Sequence, residues 1–245
     1  MGNGMNKVLP GLYIGNIRDS KDFRQLDDND ITHILSIHDN AKKMHTGKKY
    51  LCITVSDSPS TDLTPYFSEC NDFIHDARIN GGNVLVHCLA GVSRSVTVSV
   101  AYMMTVTDLG WRETLNAVKG ARKCASPNFG FQRQLQAFEF RGLKEEKKRL
   151  KEKHPPMPKR FNDEEFCLKL LEAHQRFVLY GDVDPDESVY PLAHNAYKNS
   201  ASSDQNCNKN TNNGVLVQSP SQEDIKHKKC RSSSKTEDDD DEDDA

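Results

Sequence analysis

The sequence lacks the features of a secreted or membrane-spanning protein. Its 245 residues contain no secretory hydrophobic segment, and they contain no apolar run of about 18 residues that would cross a bilayer. The seven cysteines are an odd number and indicate no disulfide framework, so we expect free thiols in a reducing compartment. These absences predict a cytoplasmic protein.

The spacing typical of a metal site is also missing. Cysteine and histidine are scattered along the chain without ligand spacing, so we expect neither a metal nor another cofactor. The net charge of −3 comes without a basic, aromatic-rich face, which argues against nucleic acid as a partner.

Residues 200–245 lack aromatic side chains altogether. They contain six Lys or Arg against eleven Asp or Glu, a net of minus five, and finish with an acidic run at 237–244. This composition predicts a disordered tail. It also accounts for a hydrophobic content of 36% and a mean hydropathy of −0.74, both low for a fully folded chain.

The sequence does contain a cysteine six positions before an arginine, in the run His-Cys-Leu-Ala-Gly-Val-Ser-Arg-Ser at residues 87–95. Residues 83–86 predict a buried strand and residues 93–107 a helix. The loop amides between them would converge on one oxyanion at a helix N-terminus, a nest that binds phosphate without a metal. These amides belong to Leu89, Ala90, Gly91, Val92, Ser93 and Arg94.

Cys88 is the predicted nucleophile of this loop. A thiolate at a helix N-terminus beside a guanidinium is favoured over the thiol, with pKa values of roughly 3.5–7.5 in such sites. Arg94 offers a planar fork for two phosphoryl oxygens and holds them more tightly as charge grows in the transition state. None of the other cysteines precedes an arginine at this spacing. The alternative for Cys88 is an inert buried thiol.

Asp57 is the predicted general acid. It follows the strand-like run 50–55 and enters a loop with Pro59, where a loop carboxylate suits proton transfer to a leaving oxygen. Asp62 competes for this role, but the Leu-Thr-Pro after it is typical of a helix N-cap. Asp57 is therefore the stronger candidate.

Residues 86–95 resemble the signature of the dual-specificity protein phosphatases. Residues 9–16 and 31–36 resemble the first two strands of that family, and residues 125–131 resemble its loop after the active site. The resemblance covers about residues 4 to 145. The opening Met-Gly-Asn-Gly-Met is similar to that of the small, atypical, N-myristoylated members.

This resemblance implies hydrolysis of phosphotyrosine and of phosphoserine or phosphothreonine in proteins. It implies that Cys88 forms a phosphocysteine intermediate, that Arg94 binds the phosphoryl group, and that Asp57 is first acid and then base for water. It also implies a role in stress-activated MAP kinase signalling. The rival hypothesis is a phosphoprotein-binding scaffold that uses the same phosphate nest without turnover.

Three further residues have weaker assignments. By the resemblance, Ser95 eases departure of the thiolate and Asn128 braces the phosphate loop, while His87 is a candidate to tune the thiolate by hydrogen bonding. Each has a structural alternative: a serine at a helix start, an asparagine in a turn and a histidine packed at the end of a strand.

The uncharged residues 89–93 also bear on the substrate. Related phosphatases of phosphoinositides often carry lysines there, so this loop favours a protein phosphoester over an inositol lipid or an RNA end. No tyrosine-rich insertion deepens the site for phosphotyrosine alone.

The N-terminus predicts N-myristoylation at Gly2, although Asn6 departs from the usual Ser or Thr. One acyl chain holds a membrane weakly, so we expect reversible association with the cytoplasmic face of the plasma membrane. The basic stretch 144–153 could face anionic lipid, but a solvated helix is the favoured interpretation.

The fold prediction is α/β, a central and mostly parallel sheet of about five strands flanked by helices. Its evidence is the alternation of helical stretches with strand-like runs at 12–15, 33–37, 50–55 and 84–87. A Pro-rich segment after residue 153 ends one helix, and residues 163–180 have the spacing of an amphipathic one. We predict four regions: an acylation segment (1–8), the catalytic domain (9–145), a helical extension of unknown role (146–199) and the tail (200–245).

Overall fold

The computed structural model describes residues 4–158 and 161–181. These residues belong to one compact unit, which spans Met1–Ala201. The predicted acylation site Gly2 and the predicted disordered tail 200–245 lie outside the described residues.

A five-stranded sheet forms the centre of this unit, in the order β1-β2-β5-β3-β4. β1 runs antiparallel to β2, and all other neighbours are parallel. The predicted α/β fold with a mostly parallel sheet is therefore confirmed. The strands are β1 (Asn6–Leu9), β2 (Leu12–Gly15), β3 (Ile31–Ile37), β4 (Lys49–Ile53) and β5 (Asn83–His87).

Strand β1 is the element that the sequence prediction missed. It pairs with β2 across a two-residue turn, Pro10–Gly11, in which Gly11 has a φ of +79° that favours glycine. Met5, just before the strand, is buried in the core. Part of the segment predicted for acylation is therefore built into the edge of the sheet.

Helices cover both faces of the sheet. Leu12, Val84 and Val86 face the larger core beneath most of the helices, whereas Tyr13 and Leu85 face a smaller cluster. No helix in the described ranges is long and apolar enough to cross a membrane. The helices are α1 (Phe23–Asp28), α2 (Phe67–Ile79), α3 (Arg94–Val106), α4 (Trp111–Ala121), α5 (Phe129–Arg141), α6 (Leu143–Lys153) and α7 (Asp163–Tyr180).

The two last helices pack on the catalytic body. Helix α7 matches the predicted 163–180, with Asn162 capping its start and Gly181, at a φ of +65°, at its end. The prediction of a solvated helix at 144–153 is wrong for one face of α6, because Glu146 and Leu150 are buried. The Glu146 carboxylate accepts hydrogen bonds from two side chains of α2, those of Ser68 and Asn71.

A buried ion pair fixes the start of α7. The Arg78 guanidinium lies 2.6 Å from the Asp163 carboxylate, and both side chains are almost fully buried. Arg78 also donates to the Tyr102 hydroxyl at 2.8 Å and to the Pro10 carbonyl at 2.8 Å. One guanidinium on α2 therefore joins α3, the β1–β2 turn and the C-terminal extension.

We expect Asp163→Ala to lower the free energy of unfolding by about 3–5 kcal/mol, because it leaves the Arg78 charge buried without its partner. Glu172→Ala is the matched control, an exposed carboxylate on the same helix, and should change stability by less than about 0.5 kcal/mol. Urea unfolding of the full chain measures both. Equal effects of the two substitutions would contradict the anchoring role of Asp163.

Candidate active site

The predicted phosphate loop, residues 88–94, lies between the end of β5 and the start of α3. β5 lies between β2 and β3, and all three run parallel, so the loops that follow them meet at one edge of the sheet. Segments far apart in sequence therefore converge around Cys88.

Cys88 is 1% exposed and lies at the bottom of the loop. Its Sγ accepts hydrogen bonds from the Gly91 amide at 3.2 Å and from the Ser95 hydroxyl at 3.3 Å. Burial raises the pKa of this thiol, but the Ser95 hydroxyl and the amides of Ser95, Val92 and Gly91 outweigh it, and the net pKa is lowered. These hydrogen bonds therefore shift the balance of Cys88 toward the thiolate.

Gly91 allows the loop to turn its amides inward. Its φ is +68°, and a Cβ at this position would overlap the Gly15 carbonyl and the Arg122 guanidinium. Only glycine fits such a left-handed and crowded position without strain. The loop's shape therefore depends on this residue.

Arg122 holds the outer side of the loop, a role that sequence analysis did not reveal. Its buried guanidinium donates from Nε to the Gly91 carbonyl at 2.6 Å and from Nη2 to the Ala90 carbonyl at 3.4 Å. Nη1 donates to the Asn6 side chain at 2.7 Å, which ties the loop to β1. No motif marks a lone arginine at the end of α4, so no sequence signal pointed to it.

Arg94 is 3% exposed, and the protein's own acceptors orient it. Nη1 donates to the Asp39 carboxylate at 2.7 Å and to the Val55 carbonyl at 2.9 Å, and Nε lies 3.3 Å from the Asp57 carboxylate. The hydrogen bond from Arg94 lowers the pKa of Asp39. Asp39 was not predicted, although its position just after β3, next to β5, is a signal that could have indicated it.

Asp57 lies beside the phosphate loop. Its Oδ1 accepts hydrogen bonds from the Ser93 hydroxyl and the Asn128 amide, each at 2.8 Å. Asp62 instead accepts from the Thr64 amide at 3.0 Å. The N-cap of the short 3-10 turn that follows is Leu63, without a side-chain cap, so the prediction of Asp62 as a helix cap is wrong. The structure brings Asp57 to the site and leaves Asp62 in a local turn.

Asn128 and His87 occupy different kinds of position. The Asn128 side chain caps α5 by accepting a hydrogen bond from the Phe131 backbone amide. The Asn128 backbone amide donates to the Ser93 hydroxyl, so Asn128 links the helix to the phosphate loop. The His87 ring pairs with the Cys88 carbonyl at 3.3 Å rather than with the thiol. Burial lowers the His87 pKa to about 4, so the ring is neutral and packed.

A groove opens beside the phosphate loop, with the Leu89 side chain 46% exposed at its edge. The groove combines apolar, cationic and polar side chains and the Asp39 carboxylate; its lining residues are Leu89, Ile17, Met44, Lys21, Lys42, His38, Asp39 and Asn40. A larger cavity lies at the far end of α3 and contains none of the predicted site residues. Within the described ranges, no group of His, Cys, Asp and Glu side chains has the arrangement of a metal site.

We expect Ser95→Ala to shift the pH midpoint of Cys88 alkylation upward, because the substitution removes the hydroxyl that stabilises the thiolate. Iodoacetamide labelling followed by mass spectrometry across pH measures this midpoint. Ser99→Ala is the matched control, a buried serine one turn along α3 without a hydrogen-bond partner for its hydroxyl in the described residues. An unchanged midpoint in Ser95→Ala would contradict this role.

Comparisons with known proteins agree with this geometry. The catalytic-domain model of the dual specificity phosphatases matches residues 12–141. Dual specificity protein phosphatase 22 of Homo sapiens is 56% identical over 173 residues, which are 71% of this chain and 93% of that protein. Dual specificity protein phosphatase 15 of Mus musculus is 49% identical over 176 residues, 72% of this chain and 74% of that protein.

Among solved structures, that of DUSP15 shares 50% sequence identity with this chain. The match has a TM-score of 0.61 and covers 62% of this chain and 98% of the other. The chain therefore belongs to the dual-specificity phosphatase family and is a cysteine-dependent phosphatase of phosphotyrosine and of phosphoserine or phosphothreonine in proteins.

Proposed function

We propose that this chain hydrolyses phosphoproteins through a phosphocysteine at Cys88, with Arg94 as phosphoryl-binding residue and Asp57 as general acid. The observation that carries the proposal is the environment of Cys88, a buried thiol whose pKa is lowered by hydrogen bonds from the loop amides and Ser95. A nucleophile of this kind suits attack on phosphorus near neutral pH.

In the first step, the Cys88 thiolate attacks phosphorus and the ester P–O bond breaks. The loop amides and Arg94 stabilise the charge on the phosphoryl oxygens. Asp57 gives its proton to the leaving oxygen, so that an alcohol or phenol departs. The support for this role is the position of the Asp57 carboxylate, 3.3 Å from Arg94 and hydrogen-bonded to Ser93.

In the second step, water attacks the phosphocysteine and the S–P bond breaks. Asp57, now a carboxylate, takes a proton from this water, and inorganic phosphate is released. The Cys88 thiolate is the leaving group, and the Ser95 hydroxyl, 3.3 Å from Sγ, stabilises it as it forms. The enzyme returns to its starting state without an oxidant or a metal.

Phosphorylated protein side chains are the proposed substrate class. Supporting this are the uncharged residues 89–93 and the neighbouring groove, whose Leu89 and two lysines suit the residues that flank a phosphorylated side chain. Components of stress-activated MAP kinase pathways are proposed as substrates on the family resemblance. The rival hypothesis, a binding scaffold, needs neither a thiol of lowered pKa nor a carboxylate beside the loop.

The experiment is hydrolysis of paired peptides from the activation loop of a stress-activated kinase, one with phosphotyrosine and one with phosphothreonine. In the presence of a metal chelator, the wild type should release phosphate from both peptides. Cys88→Ser should lose activity by at least about 10³-fold, because the nucleophile is gone. Binding of the peptides by wild type without phosphate release would favour the scaffold. A clear preference for inositol phosphates would overturn the substrate class.

We also propose that Gly2 carries a myristoyl group that brings the enzyme reversibly from the cytoplasm to the inner face of the plasma membrane. Met5 is buried, and its amide donates to Gln25 at 2.6 Å. Asn3 and Gly4 are the residues that separate Gly2 from this anchored position. A short connection of this kind would hold the catalytic body close to the bilayer, with the weak affinity of one acyl chain.

Intact-mass spectrometry after co-expression with an N-myristoyltransferase tests this proposal. We expect the mass of one myristoyl group on the wild type and none on Gly2→Ala, and only the modified form should co-sediment with lipid vesicles. An unmodified wild-type N-terminus would rule the proposal out.

A further inference from the structure

Helix α5 forms hydrogen bonds with the segment that carries Asp57. We call residues 56–63 the acid loop; it connects β4 to the short turn before α2. The Gln134 side chain accepts a hydrogen bond from the Leu63 amide at 2.9 Å and donates one to the Thr61 carbonyl at 2.8 Å. Both of its polar atoms are thus committed to the backbone of this loop.

Two further contacts from the same helix also hold the acid loop against α5. Gly130 lets the loop approach closely, because a Cβ there would overlap the Pro59 backbone. Asn128, the N-cap of α5, donates to the Asp57 carboxylate at 2.8 Å. The helix therefore contacts the acid loop at its carboxylate, at its middle and at its end.

Of these contacts, the one made by Gln134 is remote from the reacting atoms. Its partners are four and six residues beyond Asp57 in the chain. Within the loop, one backbone hydrogen bond, from the Thr61 amide to the Ser58 carbonyl at 3.0 Å, closes a turn, and exposed hydroxyls pair with each other, as Ser56 does with Thr61. These bonds lie within the loop and do not attach it to α5, and exposed hydroxyl pairs exchange readily with water. The two Gln134 bonds therefore tie the second half of the loop to the helix.

We propose that Gln134 is the positioning residue of the general acid. By holding Thr61 and Leu63, Gln134 fixes the acid loop against α5. The Asp57 carboxylate is then already within hydrogen-bonding reach of the leaving oxygen when a substrate binds. This inference rests on the proposed role of Asp57. Small displacements of a catalytic group reduce rates strongly. In kcat/KM, which reports the steps up to departure of the leaving group, the loss should fall on proton donation.

The test is Gln134→Ala with two aryl phosphates, one with an acidic leaving group and one with a basic leaving group. A basic leaving group needs the proton of Asp57, so its kcat/KM should fall by about 10-fold, whereas kcat/KM for the acidic leaving group should change by less than about 2-fold. Gln136→Ala is the matched control, since Gln136 lies on the same helix and its side chain makes no hydrogen bond with the described residues. It should change neither value.

Two more variants separate positioning from general damage to the fold. Gln134→Glu keeps the acceptor for Leu63 but loses the donor to Thr61, and we expect an intermediate loss with the basic leaving group. In the Asp57→Ala background, Gln134→Ala should cost nothing further, because there is no acid left to position. Equal losses for both leaving groups, or additive losses in the double variant, would overturn the proposal.

The same data separate a failure of the acid role of Asp57 from a failure of the positioning role of Gln134. If Asp57→Ala lowers kcat/KM equally for both substrates, the proposed acid role fails. If Asp57→Ala discriminates between the leaving groups but Gln134→Ala and Gln134→Glu do not, Asp57 is the acid and the inference about Gln134 is wrong.

Discussion

The site depends on one requirement of the phosphate loop: its amides must point inward, so its carbonyls need partners on the outside. Arg122 meets that need by donating to the carbonyls of Gly91 and Ala90 from a buried position. A buried guanidinium needs acceptors as much as the loop needs donors, so the two stabilise each other. The bond from Arg122 to Asn6 then extends the same network to the N-terminal edge of the sheet.

This network is linked to α7 through α4. Helix α7 packs on α4 so closely that a Cβ at Gly120 would overlap the Leu170 backbone, and Arg122 follows directly at the end of α4. A displaced α7 would therefore act on the phosphate loop through α4. The aligned 173 residues of human dual specificity protein phosphatase 22 likewise exceed the length of the catalytic-domain match at 12–141.

The features that could be predicted from the sequence depend on residues close together in the chain, whereas the features that could not be predicted depend on contacts between residues far apart in the chain. The positions of Cys88, Arg94 and the loop amides follow from a strand, a turn and a helix within residues 83–107, and the apolar spacing of α7 was equally local. The bonds of Arg122, Asp39 and Gln134 to their partners span 31, 55 and 71 residues. Such contacts follow from strand order and helix packing, which a single sequence does not display.

The same distinction explains how the site divides its work. The local motif supplies the groups that contact phosphate, and the distant residues fix where those groups stand. Arg94 illustrates this, because Asp39 and the Val55 carbonyl orient its guanidinium before any phosphoryl oxygen is bound. Orientation in advance lowers the entropic cost of binding and the reorganisation needed in the transition state.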